Sequence, residues 1–139
     1  MTQTVRVLLE EQVKLLFLGR FSAILPRFDL PLAVQVGADM RVLSSPAQFI
    51  DALSDHRCGL IASGVTALTV RMTAVELPRR GRFRVWADFD HHRANGVDKS
   101  ADQIICYCRQ DGAGIRVELL HCTRLALLVE TPPRRARLA

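Results

Sequence analysis

Four long runs rich in β-branched and aromatic residues, joined by three short turn signals and preceded by two helical patterns, restrict this chain to few folds. The turns are Pro78-Arg79-Arg80-Gly81, Asn95-Gly96 and Asp111-Gly112-Ala113-Gly114. Between and beyond them, residues 66–77, 82–93, 99–110 and 115–128 read as strands. Tight turns make each strand the antiparallel neighbour of the next. Helices placed ahead of such a meander must bury their apolar stripes against one of its faces. The expected class is α+β, with a curved antiparallel sheet wrapped around N-terminal helices.

The helical patterns are of unequal clarity. Leu9, Val13, Leu16, Phe17, Phe21, Ile24 and Leu25 recur at three- and four-residue spacing, which predicts one helix over residues 7–25, ended by Pro26. Pro31 places the chain outside that helix. Residues 32–36 and 40–43 around Gly37-Ala38-Asp39 read as a small hairpin. The second helix has a defined start. Ser45 is the N-cap, Pro46 takes the first helical position, and Gln48 is placed to reach back as a capping partner. Phe49, Ile50, Leu53, Leu60 and Ile61 form its apolar side, and Gly64 is the expected end.

A chain of 139 residues fits a single domain, here residues 1–130, followed by a basic tail at 131–139 that holds Pro132-Pro133 and three arginines and is expected to be disordered. The net charge of +5 raises nucleic-acid binding. The positive charges are spread along the chain, however, and only Lys14 and Lys99 are lysines, so no clustered phosphate-binding face is read. Cys58, Cys106, Cys108 and Cys122 fit no metal-ligand spacing and read as reduced thiols. The apolar stretch 5–18 is interrupted by Glu10, Glu11 and Lys14 and is followed by no small-residue cleavage site. No run reaches a membrane span of ~20 apolar residues. The expectation is a soluble cytoplasmic protein without membrane association and without a cofactor.

Turn chemistry extends the reading to the faces of the sheet. A two-residue turn at Asn95-Gly96 sets Phe89 opposite Asp102, and a loop at 111–114 sets Gln110 opposite Ile115. One face then carries Phe83, Val85, Ala87, Phe89, Ile104, Cys106, Cys108, Ile115, Val117 and Leu119 and should meet the helices. At one end that face turns polar, bringing His91, Asp102, His121 and Thr123 near one another. The opposite face presents Trp86, Ile105, Tyr107 and Leu120, a patch suited to a second subunit. A slip of one residue in either hairpin would exchange the two sets.

With its elements placed, the chain resembles the nuclear transport factor 2-like superfamily, in particular small bacterial SnoaL-like proteins. The resemblance spans about residues 7–128. It rests on element order, on the helix start Ser44-Ser45-Pro46-Ala47-Gln48-Phe49 and on the hairpin from Glu76 through Pro78-Arg79-Arg80-Gly81 to Trp86. It implies a cone with an apolar cavity and a homodimer formed through the sheet. The superfamily includes ketosteroid isomerase, scytalone dehydratase and polyketide cyclases beside many non-enzymatic domains, so fold leaves function open. The isomerase takes its oxyanion donor from a tyrosine on the first helix. Here that helix offers Phe17 and Phe21, and the single tyrosine, Tyr107, lies on the outer face.

Two functions compete on these grounds. One is binding of a small, mostly apolar molecule by Phe17, Phe21, Phe89, His91 and Thr123, with Asp102 and His121 as an acid–base pair that moves a proton beside a carbonyl. Against it stands a solvated Asp102 and a His121 that only caps the sheet end. The other is a non-catalytic dimeric interaction domain whose interior is filled by Phe17, Phe21, Phe28, Phe83 and Phe89. Whether the protein is an enzyme is left open. Asp88, Asp90, His91 and His92 do not make a metal site, because Asp88, Asp90 and His92 are strung over about 14 Å of one strand and His91 faces away. The arginines at 79, 80, 82 and 84 read as a solvated hairpin end.

Overall fold

The computed structural model describes residues 2–129, so the expectation for the tail at 131–139 falls outside the described residues. Helix α1 (Thr2–Phe17) starts the chain and is followed by the short α2 (Phe21–Ile24) and a 3-10 turn (Leu25–Arg27). The first helix is thus not continuous to residue 25. Gly19, at φ +72°, ends it: the Gly19 N–H donates to Leu16 O and the Arg20 N–H to Leu15 O, the double closure of a Schellman motif. An apolar pattern that continues in phase across Gly19 hid this break.

Strands β1 (Phe28–Val36) and β2 (Asp39–Leu43) form the expected hairpin, and α3 (Pro46–Ala62) follows it. The Ser45 hydroxyl accepts from the Gln48 N–H at 3.2 Å, and the Gln48 side chain accepts from the Ser44 N–H at 2.7 Å. Gly64 leaves the helix at φ +85°. Strands β3 (Val65–Val75), β4 (Arg82–Arg93), β5 (Gly96–Asp111) and β6 (Gly114–Arg124) then run as an antiparallel meander, and α4 (Ala126–Val129) closes the described chain.

The six strands form one open sheet in the order β2-β1-β6-β5-β4-β3. The β1–β2 hairpin joins it through β6, and β1 runs parallel to β6. Irregular pairings interrupt the ladder between β1 and β6, β3 and β4, β4 and β5, and β5 and β6, and each extra residue bends the strand that carries it. The sheet curves accordingly, with α1 packed against β3, and α3 against β3 and β2.

The core divides into two clusters. One joins Leu16 and Ile24, Leu32 and Leu43, Phe49 and Leu60, and Val65 and Leu68, with Phe17, Phe21, Phe28 and Phe89 packed around it. The other joins Val5 to Phe83, Val85, Cys106, Cys108 and Ile115. Of the four free cysteines only Cys58 is exposed.

The β4–β5 register follows the expectation from Arg82 opposite Arg109 to Phe89 opposite Asp102. Beyond that point residues 99–101 oppose Asp90 alone, and the turn falls at Ala94-Asn95, one residue earlier than expected. The β5–β6 register also begins as expected, with Gln110 opposite Ile115, but changes past Cys108 opposite Val117. Glu118 is an extra residue, so Leu119 faces Tyr107 and Leu120 faces Cys106. Leu119 and His121 therefore lie on the outer face, while Leu120 and Cys122 turn inward. Leu120, expected at a dimer interface, packs against both core clusters instead.

Candidate functional site

Strand β4 carries Phe89 and His91 on the face that meets the helices, and β5 carries Asp102 on the same face. His91 has no exposed surface and Asp102 is 4% exposed. Their side chains meet, with His91 Nε2 2.8 Å from Asp102 Oδ2. The other carboxylate oxygen accepts the Ala126 N–H at 3.1 Å, tying the start of α4 to β5. A neutral imidazole that donates to this carboxylate carries its proton on Nε2 and a lone pair on Nδ1. Nδ1 is buried and has no hydrogen-bond partner among the described residues.

A second imidazole stands close by. His56 lies on α3 in phase with Phe49, Leu53 and Leu60, the stripe that faces the sheet. Its pKa lies below the ordinary 6.5, chiefly through burial; Asp102 acts in the opposite direction and His91 adds to the depression. Cys122, inward on β6, has its thiol raised to about 11 by burial first and by the negative charge of Asp102 second. One carboxylate, two imidazoles and a protonated thiol thus share the polar end of the interior.

The bulge beside Asp102 is held from the outer face. Ser100, at φ +52°, donates its N–H to Asp90 Oδ1 at 2.8 Å and its hydroxyl to Asp88 Oδ2 at 2.7 Å. Arg71 on β3 grips Asp90 through Nε at 3.0 Å and a second nitrogen at 2.7 Å. That contact, followed by burial in the opposite direction and the Ser100 N–H, holds the Asp90 pKa at about 2. His92 shares this face and lies 2.9 Å from the Thr69 hydroxyl. Asp88 and Asp90 are therefore committed to the bulge, and no group of metal-ligating side chains assembles among the described residues.

The sequence pairing of Asp102 with His121 requires correction. His121 stands opposite Ile105 and beside Gln35 on the outer face, because the Glu118 bulge reverses the alternation of β6. Thr123 is a further extra residue; it is exposed and donates its hydroxyl to Gln103 O at 3.1 Å. Phe17, Phe21 and Phe89 lie against the core cluster beneath the helices. His91 takes the place beside Asp102 that the counting had given to His121. His56 was overlooked, although its spacing from Phe49, Leu53 and Leu60 marks it as inward.

On the outer face Trp86 stands opposite Ile105, and Tyr107 opposite Leu119 and Arg84. The Arg84 guanidinium covers the Trp86 ring at 5.0 Å while Glu76 holds it from the side at 2.8 Å. Met40 and Val42, 55% and 52% exposed, extend the apolar surface onto the edge strand β2. No helix among the described residues is long and apolar enough to cross a membrane.

No family model matches the chain, and no curated protein matches it in sequence. Solved structures do match. A domain of unknown function with a cystatin-like fold from Nostoc punctiforme is similar at a TM-score of 0.68 and 12% identity, over 99% of this chain and 82% of that one. A nuclear transport factor 2-like protein with a cystatin-like fold from Novosphingobium aromaticivorans matches at 0.64 and 15%, over 99% and 88%. A ketosteroid isomerase-like protein from Erwinia carotovora atroseptica matches at 0.59 and 9%, over 84% and 90%. The chain has the nuclear transport factor 2-like, cystatin-like fold.

Proposed function

We propose that the protein binds a small, mostly apolar molecule between its helices and its sheet, with the His91–Asp102 pair as the polar contact. One observation carries this reading: a fully buried imidazole is fixed by a carboxylate through Nε2 while Nδ1 has no partner among the described residues. A buried acceptor without a partner costs on the order of 1–3 kcal/mol, a cost that a ligand hydroxyl would remove. The same geometry suits proton transfer. Nδ1 takes a proton from a bound group, and Asp102, hydrogen-bonded to Nε2, stabilises the imidazolium that forms. Asp102 is thus the positioning partner and His91 the base, in an isomerase-, cyclase- or dehydratase-like step.

The test is a titration of protein labelled with 15N-histidine with 4-methylphenol and with toluene. Saturable binding that moves the His91 resonances and spares His121 supports the reading. Absence of binding by both compounds, or shifts confined to His121, would overturn it.

A second reading has its own observation. Trp86, Ile105, Tyr107 and Leu119 make a half-buried apolar patch on the sheet face away from the helices. Such a patch favours a homodimer through the sheet. As a non-catalytic interaction domain, the protein would use this face and keep its interior closed.

A further inference from the structure

The buried stripe of α1 contains one polar residue. Val5, Leu9, Gln12 and Leu16 succeed one another along a single face of the helix. Val5 is 4% and Leu16 8% exposed, and Gln12 lies between them in height and within about 40° of both around the helix axis. Leu8 and Leu9, on its N-terminal side, pack on the cluster built around Phe83 and Val85. Val13 and Leu16, on its C-terminal side, belong with the cluster built around Phe49 and Leu60. Gln12 therefore occupies the seam where one half of the core gives way to the other. Both polar atoms of its carboxamide, Oε1 and Nε2, are buried and have no hydrogen-bond partner among the described residues.

Leucine at this position would fill similar volume with no polar atoms, so the amide lowers stability unless something satisfies it. A carboxamide presents a donor and an acceptor side by side. The group that answers both at once is a neutral amide, a lactam or a protonated carboxylic acid. Arg6 and Lys14, the charged residues of α1 nearest in sequence that carry a positive charge, are both exposed and offer no counter-charge to an anion. We infer that Gln12 is a ligand contact for the carboxamide or lactam group of an otherwise apolar molecule. This inference rests on the interior-binding reading above and specifies the chemistry of what enters.

Benzamide and toluene, matched in ring and differing in the amide, serve as probes for wild type and Gln12→Leu, with Gln12→Met as the substitute should the leucine variant not fold. Wild type should bind benzamide about ten-fold more tightly than toluene, the scale of one buried hydrogen bond. The variant should lose that preference, keep its toluene affinity and melt at a higher temperature. Equal affinity of wild type for the two probes, or a preference that survives the substitution, overturns the role of Gln12 while toluene binding leaves the interior-binding reading standing. A lower melting temperature in both variants shows that the folded chain or an internal water already satisfies the amide, and likewise overturns it. Failure of both probes to bind removes the interior-binding reading and this inference with it.

Discussion

Tyr107 on β5 stands opposite Leu119 on β6, although Cys108, the next residue of β5, stands opposite Val117. Glu118 is the residue left over, and it turns the rest of β6 by one side-chain position. As far as the second extra residue, Thr123, the strand changes face: Leu119 and His121 point away from the helices, Leu120 and Cys122 toward them. The outer apolar patch and the content of the polar interior both follow from this one insertion.

Trp86 and Leu120 should therefore behave differently on substitution. Trp86→Glu places a charge in the middle of the outer patch and is expected to yield monomers if the sheet face joins two copies. Leu120→Ala removes a side chain packed against both core clusters and should lower stability by about 2 kcal/mol with no change of oligomeric state. Light scattering together with urea denaturation separates the two effects. A wild type that is already monomeric would sink the dimer reading, and a Leu120→Ala protein that dissociates at unchanged stability would sink the inward placement of Leu120.

The two hairpins show how far counting from turns reaches. On β5 the bulge opposite Asp90 holds two extra residues, an even number, so His91 and Asp102 remain on the face that the Asn95-Gly96 signal assigned them. On β6 the bulge holds one, and the assignments from Leu119 to Cys122 are reversed. Nothing in Glu118 or its neighbours distinguishes a bulged residue from a paired one, because the insertion answers the curvature of the whole sheet. Local chemistry was legible where it is self-contained: Ser45, Pro46 and Gln48 start α3, and Gly64 ends it. Pairing of β1 with β6 depends on how the sheet curls and left no local signal.

His56 and Asp90 each contribute to the acid side of the stability profile, in separate windows. The pKa of His56 is lower in the folded protein than its ordinary 6.5, so the unfolded chain binds more protons as pH falls below that value. Stability should be flat above about pH 6.5 on this account and decline below it, and His56→Gln should remove the decline. Asp90 has its pKa lowered from 3.8 to about 2, so its contribution is complete above 3.8 and is lost as pH falls toward 2. Urea midpoints measured across both windows for wild type, His56→Gln and Asp90→Asn would decide it. Retention of the upper decline in His56→Gln would show that another group titrates there.

Gly81 ends the turn before β4 in a position that admits no side chain. Its φ is +77°, and a Cβ there would lie 2.8 Å from the carbonyl oxygen of Gln110 on β5. The backbone contact is a working one, since Gln110 N–H donates to Gly81 O at 2.6 Å. Alanine would have to push β4 and β5 apart at their ends as well as accept a left-handed conformation. Gly37 supplies the control, with φ +58° and no atom within 4 Å of the same imagined Cβ. Gly37→Ala should cost about 1 kcal/mol, the backbone term alone, whereas Gly81→Ala should cost about 2–3 kcal/mol. Urea denaturation of the two variants in parallel isolates the difference. Equal losses would mean that the strand end yields freely at Gln110, and that the approach of the two backbones there contributes nothing to the register of β4 on β5.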